Sequence, residues 1–332
     1  MKIAFYNTHQ FEKKCFEASN LKFEHKIHYI EPRLTEDTAA LALGFDCVCA
    51  FVNDRLNKKT LQKLADGGTK IIALRCAGYN HVDLATAQQL GIKIVRVPEY
   101  SPHAVAEHTL ALIMSLNRKI HRAYNRVKEH NFSLEGLTGF DLNNKTVGVI
   151  GTGRIGATIA KILLGFGCRV LAYDLNPNPT LQKMGVKYVD RDQLLRTSDI
   201  ITLHVPLNPH TKYLLNDQTL AITKPGVMII NTSRGALIQT SALIQLLKSG
   251  HIGYAGLDVY EEEEGIFFED CSDHVLQDDV LARLLTFSNV LITSHQAFLT
   301  HEALSNIADT TLTNISAFEA KADLINEVCS LP

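Results

Sequence analysis

No stretch of this chain is apolar for long enough to cross a bilayer. The longest nearly apolar segment, AVAEHTLALIMSL at 104–116, carries Glu107 and His108 and falls short of the ~18 to 20 residues a span needs. A secretory leader is not expected either, because MKIAFYNTHQ turns polar after a run too brief for a leader's apolar core. There is no block of basic residues, and the formal net charge is −2. No general pull toward nucleic acid or anionic membrane is therefore expected. The seven cysteines are odd in number and scattered, with no CxxC pair. Cys47 and Cys49 stand one residue apart in what reads as a strand. Free thiols in a reducing cytoplasm fit this pattern better than disulfides or zinc. The fourteen histidines include no HExxH or comparable spacing, so no metal is expected. Low-complexity tracts and proline-rich linkers are missing as well.

What is present is an ordinary globular composition, 46% hydrophobic and 20% charged, over 332 residues. That length exceeds the usual span of one core and points to two domains. Short apolar, β-branched runs alternate with helical patterns from end to end. In the first third the strand candidates are KIAFYN, HKIHYI, DCVCAFV, KIIALR and IKIVRV, with KKTLQKLADGG and VDLATAQQLG as helices closing on glycine. This alternation reads as βαβ units around a parallel sheet. From Ser101 the sequence predicts one long helix of about 28 residues, opened by Ser101 and Pro102. A second α/β set follows: KTVGVIG, CRVLAYD, SDIITLHVP, GVMIINTS, YAGLDVY and NVLITS. A final helical segment, HEALSNIADTTLTNISAFEA, closes the chain.

The run VGVIGTGRIG ends in three close glycines at mid-chain. Gly151 would permit the tight turn leaving the strand, Gly153 would let backbone N–H groups approach a pyrophosphate, and Gly156 would let helix and strand pack closely. The helix that follows aims a partial positive charge of about +0.5 at such an anion. The next strand, CRVLAYD, ends in Asp174, 23 positions after Gly151 and close to the ~20 at which an acidic residue takes the ribose hydroxyls. That charge would repel a 2′-phosphate, and no arginine follows in DLNPNP, so NAD is favoured over NADP.

Two polar groups stand just after later strands. Arg234 in NTSRGALI suits a planar carboxylate, because its fork of donors matches two oxygens. His295 in LITSHQAF has the ordinary pKa of ~6.5 that suits a proton donor near neutrality. Each is also a residue type common at strand ends without any chemical role. Between them LDVYEEEEG offers four acids at 261–264, and spacing alone does not choose which of them, if any, reaches a histidine.

GTGRIG with Asp174, HVPL, NTSRG, LDVYE and SHQAF, in this order, make the chain resemble the NAD-dependent D-2-hydroxyacid dehydrogenase family. RCAGYNHVD, VPEYSPHAVAEH and HQAFLT bring it nearest that family's D-lactate dehydrogenase branch. The resemblance spans nearly the whole chain. It implies an α/β protein of two Rossmann- or flavodoxin-like parallel-sheet domains with the active site in the cleft between them. Residues 1–100 and 299–332 would form a discontinuous substrate domain, and 101–298 an inserted NAD-binding domain. The glycine loop lies mid-chain, on this reading, because the nucleotide domain is an insertion.

The activity implied is reversible reduction of pyruvate to D-lactate. Arg234 would bind the carboxylate and polarise the keto group, and His295 would donate the proton. Glu263, five positions after the aspartate of LDVY, would hold His295 protonated by charge pairing. The N–H groups of Ala77 and Gly78 would meet the substrate carboxylate, and Tyr100 and Phe298 would wall its methyl end. Arg154 and Ile155 would face the pyrophosphate, Val205 and Pro206 the adenine side, Thr232 the ring and Asp258 the nicotinamide amide. Ser294 stands where many members of the family carry proline before the histidine, a departure that would loosen the backbone there. Alternatives are a bulkier 2-keto acid such as phenylpyruvate or 2-ketoisocaproate, and an NAD(H)-sensing corepressor-like protein. Members of the family are dimers or tetramers, so a homo-oligomer is implied, with the apolar helix after 101 as a contact.

Overall fold

The computed structural model describes residues 1–328. The last four positions of the expected 299–332 segment, among them Cys329, lie outside the described residues. The chain splits into two compact units, Met1–Ser101 with Phe298–Pro332, and Pro102–Ala297.

The discontinuous unit is built on five strands: β1 (Lys2–Phe5), β2 (Lys26–Tyr29), β3 (Cys47–Ala50), β4 (Ile71–Leu74) and β5 (Lys93–Val95). All pair in parallel, in the order β2-β1-β3-β4-β5, the flavodoxin-like arrangement. All four residues of β3 and of β4 are buried, whereas those of β2 alternate between exposed and half-buried. Central parallel strands are covered on both faces, which is why CVCA and IIAL read as unbroken apolar runs. The closing helix, His301–Glu319, belongs to this unit; Thr300 caps it by accepting the Ala303 N–H.

The continuous unit has seven strands: β6 (Thr146–Ile150), β7 (Arg169–Tyr173), β8 (Lys187–Tyr188), β9 (Ile200–Leu203), β10 (Val227–Asn231), β11 (Ile252–Leu257) and β12 (Val290–Ile292). Their order is β12-β11-β10-β9-β6-β7-β8, all parallel. The direction of winding therefore reverses between β6 and β9, and in such sheets ligands bind beyond the carboxyl ends of the strands at that reversal. Along β10, Val227 and Ile229 enter one core cluster while Met228 and Ile230 enter another. Period-two alternation thus feeds two apolar layers, one on each face of the sheet.

Two expectations are corrected. β8 was not foreseen, because two residues are too few to show any alternation. The long helix is two helices, Pro102–Arg118 and Ile120–Lys128, broken where Lys119 adopts the left-handed region at φ +50°. The Lys119 ammonium donates to the carbonyl of Thr138 there, a distant tie that no proline or glycine announces. The first of these helices lies wholly within the continuous unit.

Candidate active site

The glycine loop follows β6 directly. Gly151 has φ +90°, and a Cβ there would lie 2.5 Å from the His204 carbonyl oxygen. At Gly156 a Cβ would come within 1.9 Å of the Gly151 oxygen, so neither position admits a side chain. A Cβ on Gly153 would instead project into open space, at the N-cap of the helix Arg154–Gly165. The bare backbone and first-turn N–H groups form a cradle that any side chain would fill, which suits a pyrophosphate. Gly153 and Arg154 are exposed and Ile155 is half-buried.

Asp174, at the end of β7, accepts from the Thr152 N–H at 2.6 Å, the Thr152 hydroxyl at 3.1 Å and the Asn176 N–H at 2.9 Å. Partial burial pushes this carboxyl up, but the N–H bonds from Asn176 and Thr152 outweigh it and leave it below its ordinary value. It is an anion tied to the loop. Facing the loop across the reversal, the Val205 carbonyl accepts the Ser233 hydroxyl at 2.9 Å and the Pro206 carbonyl accepts that of Thr211 at 2.6 Å.

Arg234 leaves the end of β10 on a braced turn. Asn231 receives the Ser233 N–H at 3.0 Å and donates to the Arg234 carbonyl at 2.8 Å. Gly235 presses this turn against the chain beyond β11, since a Cβ on it would lie 2.0 Å from the Tyr260 carbonyl carbon. Three residues after Tyr260, Glu263 Oε1 is 2.8 Å from His295 Nδ1, and Glu263 Oε2 accepts the Tyr260 N–H at 3.1 Å. Glu261 is engaged elsewhere, with the Tyr213 hydroxyl and with Thr240. Glu262 and Glu264 are exposed.

His295 itself has φ +50°, a strained conformation for a residue with a Cβ. Asp258, fully buried, holds it there: the His295 N–H donates to the Asp258 carbonyl at 2.7 Å. The Asp258 carboxylate accepts from the Thr293 hydroxyl and from the N–H groups of Gln296 and Ala297 at 2.6, 2.8 and 2.9 Å. Asp258 therefore directs both oxygens into the loop that carries His295. Burial raises its pKa, yet bonds from His108 and Thr293 and the charge of His295 bring it below the ordinary value. Ser294 is exposed, with its hydroxyl 3.4 Å from the Phe268 N–H.

In the discontinuous unit, Ala77 and Gly78 follow β4. The Cys76 carbonyl accepts the Val97 N–H at 3.2 Å and the Ala77 carbonyl accepts Arg96 Nη1 at 2.7 Å. Both peptides are trans, so the N–H groups of Ala77 and Gly78 each point away from the partner of the carbonyl in the same peptide. Phe298 is 8% exposed; its ring lies 6.4 Å from Tyr100 and 6.2 Å from both Phe11 and Phe51. Phe11, Phe51 and Arg96 carried no signal in the sequence that marked them for this neighbourhood. Among the described residues no group of three histidine, cysteine or acidic side chains could hold a metal, and no helix is long and apolar enough to cross a membrane.

A profile of the family described as "D-isomer specific 2-hydroxyacid dehydrogenase, NAD binding domain" matches residues 110–297. The chain is 53% identical over 332 residues to a "2-hydroxyacid dehydrogenase homolog" of Haemophilus influenzae, covering 100% of both. It is 52% identical over 328 residues to the "D-lactate dehydrogenase" of Escherichia coli, covering 99% of this chain and 100% of that one. The apo-structure of D-lactate dehydrogenase from Escherichia coli superposes with a TM-score of 0.90 at 49% identity, over 99% of this chain and 100% of that one.

Proposed function

The chain belongs to the D-isomer-specific 2-hydroxyacid dehydrogenases and is an NAD-dependent oxidoreductase, and on that premise we propose that it reduces pyruvate reversibly to D-lactate. The observation that carries the assignment of roles is the 2.8 Å contact between His295 Nδ1 and Glu263. With Nδ1 turned to the carboxylate, Nε2 is the nitrogen that exchanges a proton with substrate. In the reductive direction His295 donates from Nε2 to the oxygen that becomes the hydroxyl, and in reverse it accepts that proton. Glu263 holds the ring by Nδ1 and so turns Nε2 outward. Arg234 binds the substrate carboxylate and draws electron density from the keto oxygen. The glycine loop would hold a nicotinamide cofactor, whose chemistry when bound would be to supply or take up the hydride.

Gly151, Gly153 and Gly156 with Arg154 and Ile155 would hold its pyrophosphate, and Asp174 its ribose hydroxyls. Val205 and Pro206 would flank the adenine side and Thr232 the ring. Asp258, with its oxygens engaged by the 293–297 loop, we assign to that loop. Ala77 and Gly78 would offer their N–H groups to the carboxylate, and Tyr100 and Phe298 would bound its methyl end. Buried free thiols such as Cys47 and Cys49 favour a cytoplasmic setting. The exposed apolar side chains Ile120, Tyr124, Val127, Phe132 and Leu134, crowded into one short stretch, favour a homodimer or homotetramer.

The test is NADH oxidation with pyruvate, phenylpyruvate and 2-ketoisocaproate, followed by chiral analysis of the product. The highest kcat/KM is expected with pyruvate, and the product is expected to be the D-hydroxy acid. A preference for either bulky acid would replace the substrate, and an L-product would sink the reading.

A further inference from the structure

We propose that His108 and Thr109, neighbours on the helix Pro102–Arg118, are positioning residues, each steadying one of the two loops that present Arg234 and His295. The inference rests on the roles given to those two side chains above.

The left-handed backbone at His295 is unfavourable for a residue with a Cβ and persists only where its surroundings over-determine it. Asp258 contributes to that determination through the His295 N–H and the bonds to Thr293, Gln296 and Ala297, and His108 acts on Asp258. His108 Nε2 lies 3.0 Å from the Thr293 hydroxyl oxygen and 3.3 Å from Asp258 Oδ1. The one proton of Thr293 already points to Asp258 Oδ1, 2.6 Å away. Nε2 therefore carries the hydrogen and donates, to the hydroxyl and the carboxylate together. It clamps the pair that grips the loop on both sides of His295, at Thr293 before it and at Gln296 and Ala297 after it.

Thr109 does the same for the other loop. It is fully buried, and its hydroxyl donates to the Val105 carbonyl at 2.8 Å. Its contact of 2.9 Å with the Thr232 hydroxyl is then one in which Thr232 donates. Thr232 stands two residues before Arg234, in the turn that Asn231 braces. The two loops follow β10 and β12, which flank β11 in the sheet and so lie about 10 Å apart. Adjacent helical residues diverge by about 100°, so one helix turn laid over these strand ends reaches both. Neither side chain touches a reacting atom.

Four variants of the full-length protein test this: His108→Leu, His108→Gln, Thr109→Val and Thr109→Ser. Amide hydrogen exchange would be followed over 293–297 and 231–235, alongside kcat, KM for pyruvate, and NADH affinity by fluorescence titration. His108→Leu should speed exchange at 293–297 and lower kcat by about 10- to 100-fold, as expected for a misplaced catalytic group, with NADH affinity unchanged. His108→Gln, whose amide can donate from nearly the same place, should recover most of kcat. Thr109→Val should speed exchange at 231–235 and raise KM for pyruvate, and Thr109→Ser should restore both. Unchanged exchange in the two loops, faster exchange throughout the continuous unit, or a kcat loss that glutamine does not rescue would each overturn the proposal. If the unaltered protein reduces no 2-keto acid, the functional reading fails by itself, while the exchange measurements still decide the role of the helix.

Discussion

Arg75 and Glu12 in the discontinuous unit meet with 0% and 3% of their side chains exposed, whereas Glu263 and His295 in the continuous unit meet with 15% and 13% exposed. The Arg75 guanidinium donates to Glu12 and to the carbonyls of Tyr6 and Asn7, and lies 4.2 and 4.7 Å from the rings of Phe5 and Phe51. An ion pair satisfied on every side has no capacity left for a ligand. It ties the loop after β4, where Ala77 and Gly78 stand, to the loop after β1. The His295 pair uses one nitrogen, sits on strained backbone and keeps some access to solvent. A buried ion pair with a full set of partners builds a fold, and a partly exposed pair with a partner on one side is suited to proton transfer.

The sharpest way to break this contrast is His295→Ala. It should lower kcat by about 10² to 10⁴ as a lost general acid, with the urea midpoint of unfolding nearly unchanged; near-normal turnover would remove the distinction. Arg75→Met is the counterpart. It leaves Glu12 buried without its cation, and stability should fall by about 3–5 kcal/mol in urea unfolding, while the NADH affinity of the folded fraction holds. A stability like that of the parent chain would mean the pair contributes little.

The smallest effect is one of pH. Burial pushes the Asp54 carboxyl up to about 6, against the charge of Arg75 and the N–H bonds of Phe51 and Leu34. At Asp174 the bonds prevail over burial and the shift is downward. Asp54 in the folded chain thus binds a proton that the unfolded chain, near the ordinary 3.8, does not hold between about pH 6 and 4. Its effect is to raise stability as pH falls through that window. Asp174 stabilises above the ordinary carboxylate value and loses that contribution only as pH falls below it. Asp54→Asn should flatten the change in unfolding free energy between pH 6 and 4, and Asp174→Asn should alter it only at lower pH. Equal slopes in the two variants would show that burial does not separate these carboxylates.

Much of the fold was legible because parallel strands buried on both faces must be written as apolar runs, such as CVCA, IIAL and VMIIN. The glycine loop was legible for a steric reason, since a position that cannot take a Cβ must be glycine. Lys119 was not, because no glycine or proline marks the break and its partner, the Thr138 carbonyl, lies across a loop. Nor were His108 and Thr109, whose partners at 293, 258 and 232 lie far along the chain.

By itself the sequence determined the α/β alternation, the anion cradle after β6 and the type of chemistry that an arginine and a histidine at strand ends can support. Those are local properties, written in side-chain size, periodicity and the freedom of single residues. Spacing left open which of four consecutive glutamates faces His295, and the resemblance pointed to Glu263; the contact itself forms only in the tertiary structure, because it depends on how the chain beyond β11 turns back toward the end of β12. The tertiary structure also brought the Asp258 carboxylate to the donors of Thr293, Gln296 and Ala297. Hydrogen bonds between groups more than thirty residues apart exist only once adjacent strands have brought them within 3 Å of each other.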